Sequence, residues 1–322
     1  MARMNAAVVT SFGEPPHYQQ FEVPQPNVAD EFLVDVLAVG LHPRVRSGAA
    51  GAHYTSSGTL PMIPGIDAVG QRPDGRRIYF VAGDDVTGTM ADKALASARR
   101  SIVLPDGTDV AKVAAAMNPA MSSWVALRRR VPIEPGQSVL VLGATGNAGA
   151  MAVQVARRLG AGRVVGAGRD PGRLAALASA GADDVVQLTS DGDATAGALA
   201  AAAAESDIVL DYLWGKPAQH AITALLTARS DRSREMNWIQ IGAVAGPTTE
   251  LPSVALRSAN FRLQGSGQGS VPAQAYLAEL PSLVAEITAG TIAVTATTMP
   301  LADVEQIWPR AETPGERTVL VP

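Results

Sequence analysis

The sequence predicts an α/β protein of two domains, one strand-rich and one built on a doubly wound parallel sheet, and three observations carry that expectation. The chain has 322 residues, more than the usual size of one domain and short of three. From residue 4 to about 112 it runs in short alternating segments such as Phe32-Leu33-Val34-Asp35-Val36-Leu37-Ala38-Val39, punctuated by Gly and Pro. From about Pro132 the rhythm becomes strand, glycine turn, helix, repeated.

In that second half, buried strands are expected at residues 138–142, 163–167, 184–188, 207–214 and 237–242. The clearest helix between them has Ala148, Met151, Ala152, Val155, Ala156 and Leu159 on one face before Gly160 ends it. The alanine-rich run 194–204 suits one exposed crossover helix. Beyond Phe261 come a Gly/Ser-rich turn, a helical stretch around 273–289 and a strand-like run at 317–321, a tail expected to return to the first domain. The expected division is therefore 1–118 with 261–322, and 119–260. No internal repeat is visible.

Composition excludes several classes of function. A formal charge of −4, from 26 basic and 30 acidic residues, gives no positive field for a nucleic-acid backbone. No apolar run approaches the roughly 20 residues that cross a bilayer, so no membrane partner is expected. Residues 1–12 lack the pattern of an export signal, and a cytoplasmic location is expected. With no cysteine in the chain, disulfides, thiolate catalysis and sulfur-based zinc sites are ruled out.

The first expected strand of the second half runs into Gly143-Ala144-Thr145-Gly146-Asn147-Ala148-Gly149 and then into a helix. Gly146 lets the backbone approach a pyrophosphate, Gly149 lets helix and strand pack, and the helix-start amides around Thr145, Asn147 and Ala148 attract phosphate charge. An ordinary structural turn is the alternative. At the end of the second strand, where NAD-binding proteins place an acidic group, stand Gly168 and Arg169. A guanidinium there grips the extra phosphate of NADP, so NADPH is the expected cofactor. Asp170 and Pro171 read as cap and first residue of the next helix, turning Arg173 toward the same phosphate. The alternative for both arginines is a solvated helix start. Tyr212, at the end of the fourth strand, sits at the edge where parallel sheets bind ligands; packing is its alternative.

The chain resembles the medium-chain dehydrogenase/reductase superfamily over most of its length. Residues 64–70, Pro-Gly-Ile-Asp-Ala-Val-Gly, are similar to the family's Gly-His-Glu region. Gly88-Thr89-Met90-Ala91-Asp92 is similar to its Gly-Ser-Tyr-Ala-Glu segment, and residues 143–149 to its glycine loop. The resemblance implies a GroES-like strand-rich catalytic domain and a Rossmann cofactor domain. The family's zinc ligands Cys, His and Cys fall here on His42, Ile66 and Pro119. No metal site is expected, because one imidazole cannot supply three ligands. What remains similar is the zinc-free quinone oxidoreductase, or zeta-crystallin-like, branch. It reduces quinones or conjugated double bonds with NADPH. The branch's Gly-x-Asn-x-x-Asp segment reads Gly40-Leu41-His42-Pro43-Arg44-Val45, a departure that bears on substrate rather than on cofactor.

The resemblance also places the hydride end of the site. It puts His42 beside the nicotinamide as a donor to an oxyanion, a packed structural histidine being the alternative. Tyr54 lies in a loop near the substrate mouth, as a carbonyl donor or a surface residue. Asn118 and Ser123 fall at the crossing between domains, Ser123 aligned with a carboxamide-contacting Thr. Gly242 and Ala243 belong to the turn that meets the nicotinamide, and Ser266 and Gly267 to the loop that closes over it. Arg128-Arg129-Arg130 reads as a solvated face at a helix end, and His17 and His220 as surface residues. The expected function is NADPH-dependent reduction of a quinone or related conjugated carbonyl in an interdomain cleft. The alternatives are an enone or unsaturated-acyl reductase, or a non-catalytic NADPH-binding sensor. Relatives pair through edge strands, which implies a homodimer here through about 262–264.

Overall fold

Period-two alternation does what it should in the first strands of the computed structural model, which describes residues 2–310 and 315–322. β1 (Arg3–Val8) pairs antiparallel with β2 (His17–Glu22). The hub is β3 (Glu31–Gly40), whose Val34 and Val36 are buried while Asp35 between them is exposed. After β3 come α1 (Pro43–Ala49), β4 (Asp67–Gln71), β5 (Arg77–Val81), β6 (Lys93–Ser97) and β7 (Ser101–Val103). β3 pairs with β4 on one side and along its first half with β6; β4 pairs with β5, and β5 with β7, all antiparallel. Ile78 and Phe80 of β5 lie at 1% and 0% exposure within this core, each side chain contributing about 2 kcal/mol by leaving water.

α2 (Val110–Val125) carries the chain from one unit into the next. By compactness the chain divides into Met1–Asn118 with Ala273–Pro322, and Pro119–Pro272.

The second unit alternates β8 (Ser138–Leu142), α3 (Asn147–Arg158), β9 (Arg163–Gly168), α4 (Pro171–Leu177), β10 (Asp184–Gln187) and α5 (Gly192–Ala203). It continues through β11 (Ile208–Asp211), α6 (Gly215–Ala228), β12 (Met236–Gln240), α7 (Ser253–Arg257) and β13 (Phe261–Gly265). The six strands form one parallel sheet in the order β10-β9-β8-β11-β12-β13. Val139, Leu140 and Val141 are fully buried, as a strand covered on both faces requires. This is the doubly wound order, reversing direction between β8 and β11, where such sheets bind ligands.

The last segments, α8 (Ala273–Leu277), α9 (Leu280–Thr288), β14 (Thr295–Pro300), α10 (Val304–Ile307) and β15 (Glu316–Val321), return to the first unit. There β15 pairs antiparallel with β3 and parallel with β14.

Three expected boundaries shift. The strand expected over 207–214 ends at Asp211, because the Asp211 carboxylate accepts from the Leu213 and Trp214 amides and turns the chain. The tail expected to leave the second unit at 261 first adds β13 to that sheet and crosses only at 273. The single helix expected over 273–289 is two, parted at Ala278 and Glu279, with Pro281 in the first turn of the second.

Candidate functional site

In a parallel sheet all strand ends of one kind share one edge, so the carboxyl ends of β8, β9, β11, β12 and β13 bring most of the expected cofactor residues together. Thr145–Ala148 follow β8, Gly168–Arg173 follow β9, Tyr212 follows β11, Gly242 and Ala243 follow β12, and Ser266 and Gly267 follow β13. The glycine loop is tightly fitted at Gly149 and less crowded at Gly146. A Cβ at Gly149 would sit 2.2 Å from the Gly143 carbonyl oxygen, so only glycine lets α3 approach the loop. At Gly146, the N-cap of α3, the nearest atom to an added Cβ is at 3.4 Å and the residue is exposed. A Cβ at Gly168 would lie 2.4 Å from the Thr145 side chain, which therefore rests on the end of β9.

Asp170 caps α4 by accepting from the Arg173 amide at 3.0 Å, with Pro171 in its first turn. Arg169 is exposed. Arg173 is half-buried and turns inward, donating from Nη1 to the Thr145 carbonyl at 2.6 Å. Arg169 and Arg173 thus follow β9 where NAD-type sites carry a carboxylate, Arg173 reaching the glycine loop at Thr145. These residues fit a phosphorylated dinucleotide.

Tyr212 is buried, and its hydroxyl lies 2.9 Å from Ser122 Oγ. Burial pushes its pKa up to about 12 against the lowering effect of Ser122 and Ser123, so the phenol stays an O–H group. Ser123 is fully buried and donates to the Ala120 carbonyl at 3.1 Å. Below Tyr212, Asp211 is 0% exposed; it takes the Leu213 and Trp214 amides at 2.8 and 3.0 Å and Trp238 Nε1 at 3.1 Å. Burial raises its pKa while these three donors lower it. The turn they hold includes Trp214 at φ 54, a strained conformation for a bulky residue.

The first unit holds His42, Tyr54 and Asn118. His42 caps the start of α1 and is 2% exposed. Its Nε2 lies 3.2 Å from Asp67 Oδ1, and Tyr79 donates its hydroxyl to Asp67 Oδ2 at 2.8 Å. A carboxylate only accepts, so Nε2 carries the hydrogen toward Asp67, and Nδ1 is buried with no hydrogen-bond partner among the described residues. The His42 ring is thus packed and hydrogen-bonded inside the first unit. Tyr54 is 72% exposed and stacks on His53 at 4.2 Å. Arg44 Nη2 donates to Thr55 Oγ1 at 2.7 Å, and its charge lies within electrostatic reach of Tyr54, Asp85 and Asp67. Tyr276, on α8, has its pKa raised by burial first, then by Asp67 and Tyr54. Asn118 is half-buried in α2.

Sequence reasoning missed Asp67, Tyr79, Arg44 and Tyr276. Asp67 and Arg44 stood inside segments already singled out, and their side-chain types were the available signal. Nothing marked Tyr79 or Tyr276, which the β4–β5 pairing and the returning tail bring in. Among the described residues no group of three or more His, Cys, Asp or Glu stands together as a metal site.

A strand-rich unit joined to a doubly wound sheet with this loop has the architecture of dinucleotide-dependent oxidoreductases. The family model described as zinc-binding dehydrogenase matches residues 148–281, a segment outside His42, Ile66 and Pro119. A probable NADPH-dependent quinone reductase of Emericella nidulans, tdiC, is 30% identical over 99% of this chain and 100% of its own length. The quinone oxidoreductase of Pongo abelii is 33% identical over 188 residues, 54% of this chain and 56% of that protein. The solved quinone oxidoreductase of Thermus thermophilus, whose structures include a complex with NADPH, superposes with a TM-score of 0.79. It is 25% identical, over 99% of this chain and 100% of that one. The chain belongs to the zinc-free quinone oxidoreductase branch of the medium-chain dehydrogenase/reductase superfamily.

Proposed function

We propose that this protein is an NADPH-dependent reductase that transfers a hydride to a quinone or related conjugated carbonyl, without a metal. The observation that carries the reading is the exposed Gly146 at the start of α3, with Arg173 reaching the same loop at the Thr145 carbonyl and Arg169 exposed at the end of β9. The full-length similarity to a probable NADPH-dependent quinone reductase supports the substrate class.

NADPH, when bound, supplies the hydride. The helix-start amides at Asn147 and Ala148, with Thr145 and Gly146, hold the pyrophosphate. Arg169 and Arg173 hold the 2′-phosphate beyond the end of β9, where Gly168 makes room for the Thr145 side chain, and Arg173 also braces the loop through the Thr145 carbonyl. Ser123, Tyr212, Gly242, Ala243, Ser266 and Gly267 shape the nicotinamide end. On the substrate side, Tyr54 offers an O–H to the acceptor's carbonyl with the positive charge of Arg44 near it, and Asn118 orients the acceptor. His42, at the N-cap position of α1, and Asp67 stay buried and paired with each other. The same reading takes the protein as cytoplasmic and as a homodimer paired through β13, the edge strand of its sheet. Among the described residues no helix is long and apolar enough to cross a membrane.

The test is to follow NADPH absorbance with a panel of quinones, enones and unsaturated acyl thioesters. Oxidation of NADPH by quinones ahead of the others is the expected result. Preference for an enone or acyl thioester moves the substrate class, and tight NADPH binding without turnover on any acceptor replaces the reductase with a sensor.

A further inference from the structure

Arg130 was expected on a solvated face, yet its guanidinium is committed to one loop. Nε donates to the Gly265 carbonyl at 3.0 Å and Nη1 to the Ser270 carbonyl at 3.2 Å. One rigid, planar fork thus spans both ends of the 265–270 turn. The turn is closed on itself by Ser270, whose Oγ accepts from the Gly267 amide at 2.9 Å and donates to the Gly267 carbonyl at 2.7 Å. It is tied to the neighbouring strand end by the Ser266 amide, which donates to the Gln240 carbonyl at 2.8 Å, and Gln240 Nε2 in turn donates to the Gly242 carbonyl at 2.9 Å. Arg130, the 265–270 turn and the turn at Gly242 form one hydrogen-bonded assembly.

The backbone aims Arg130 at this loop. Beyond α2 the helix widens into a π turn, Ala126–Arg130, with the Val131 amide reaching back to the Ala126 carbonyl at 2.9 Å. Arg130 is the last residue of that turn, and turns of this kind concentrate at functional sites. Arg128, two residues earlier, instead stands over the Trp124 ring at 5.2 Å. The loop itself contains Gly265, Gly267 and Gly269, so any fixed shape carries a high entropic cost and little side-chain packing exists to hold one.

We infer that Arg130 is a positioning residue for the cofactor: it fixes the 265–270 turn so that Ser266, Gly267 and Gly242 meet the nicotinamide half of the dinucleotide in a preformed arrangement. The inference rests on the dinucleotide reading above. It predicts an effect confined to one half of the ligand, because Arg169 and Arg173 hold the other half independently.

The experiment titrates the intact protein and its Arg130→Ala and Arg130→Lys variants by calorimetry with NADPH, and separately with adenosine 2′,5′-bisphosphate, which lacks the nicotinamide half. Arg130→Ala is expected to bind NADPH roughly tenfold more weakly, the scale of a lost charge-assisted contact, and adenosine 2′,5′-bisphosphate as tightly as the unaltered protein. Arg130→Lys recovers part of the loss, since an ammonium reaches one carbonyl but lacks the fork. Equal weakening of both ligands, or no weakening of either, overturns the role of Arg130 and leaves the dinucleotide reading standing. If the unaltered protein binds neither ligand, the dinucleotide reading fails and this inference falls with it.

Discussion

Asp67 is a buried carboxylate that organises two side chains, taking the His42 ring on one oxygen and the Tyr79 hydroxyl on the other. Removing either partner would leave a buried polar group unsatisfied, which is why the three stay together. His53 is arranged differently. Its Nδ1 accepts from the Thr55 amide at 3.2 Å and lies 2.9 Å from Thr55 Oγ1, which Arg44 also engages. A proton on that nitrogen has no place in the arrangement. Burial, and then the Arg44 charge, lower the His53 pKa from 6.5 to about 4. The unfolded chain therefore takes up this proton before the folded chain does, and the stability present above pH 6.5 is lost as pH falls through the window down to about 4. Urea unfolding at pH 7 and pH 4.5 should show a smaller acid loss of stability for His53→Gln than for the unaltered protein; equal losses would remove His53 as a source. His42 was legible in the sequence as a residue of interest, but its role was not. The pairing with Asp67 spans 25 positions and depends on the turn of chain between β3 and β4, which no local pattern encodes.

Among the elements, β8 and the loop after it were the most legible, because an apolar run, a glycine series and a helical period follow one another without a break. Even roles for the glycines could be assigned in advance: Gly149 for close packing, where a Cβ would sit 2.2 Å from the Gly143 carbonyl oxygen, and Gly146 for the approach of a pyrophosphate. The end of β11 was not legible. Asp207 to Trp214 reads as one apolar run, and only the buried Asp211 side chain, drawing in two amides and the Trp238 indole, ends the strand partway along it. Asp211→Ala removes all three acceptor contacts from a fully buried site and should lower the unfolding free energy by roughly 3 kcal/mol. A change within about 0.5 kcal/mol, the range of an ordinary surface substitution, would show that the turn holds its shape without Asp211. Within the Arg128–Arg130 run, Arg128 and Arg129 are exposed as expected and only Arg130 departs from the solvated face. Three consecutive arginines look alike in sequence, and one π turn carries both the one that serves a loop and the one that covers a tryptophan.

At the scale of the whole molecule, the order of elements was carried by composition and period: a strand-rich stretch, then alternating strands and helices, then a returning tail. The tail crosses at residue 273 rather than at 261, because β13 has an ordinary edge-strand sequence that fits either sheet until its pairing with β12 is seen. The absence of cysteine and the replacement of two family ligand positions by Ile66 and Pro119 remained the firmest guides to chemistry, since they concern what the side chains can bind. Everything proposed for this molecule depends on the family scaffold being set for NADPH by arginines at the end of its second sheet strand. Comparing kcat/KM for NADPH and for NADH with one quinone acceptor, in the unaltered protein and in Arg169→Ala, probes that dependence without intermediaries. NADPH should be preferred by at least about tenfold, and the variant should lose most of that preference while keeping its NADH activity, each tenfold being about 1.4 kcal/mol of phosphate recognition. Equal use of the two cofactors by the unaltered protein, or turnover with neither, would contradict it.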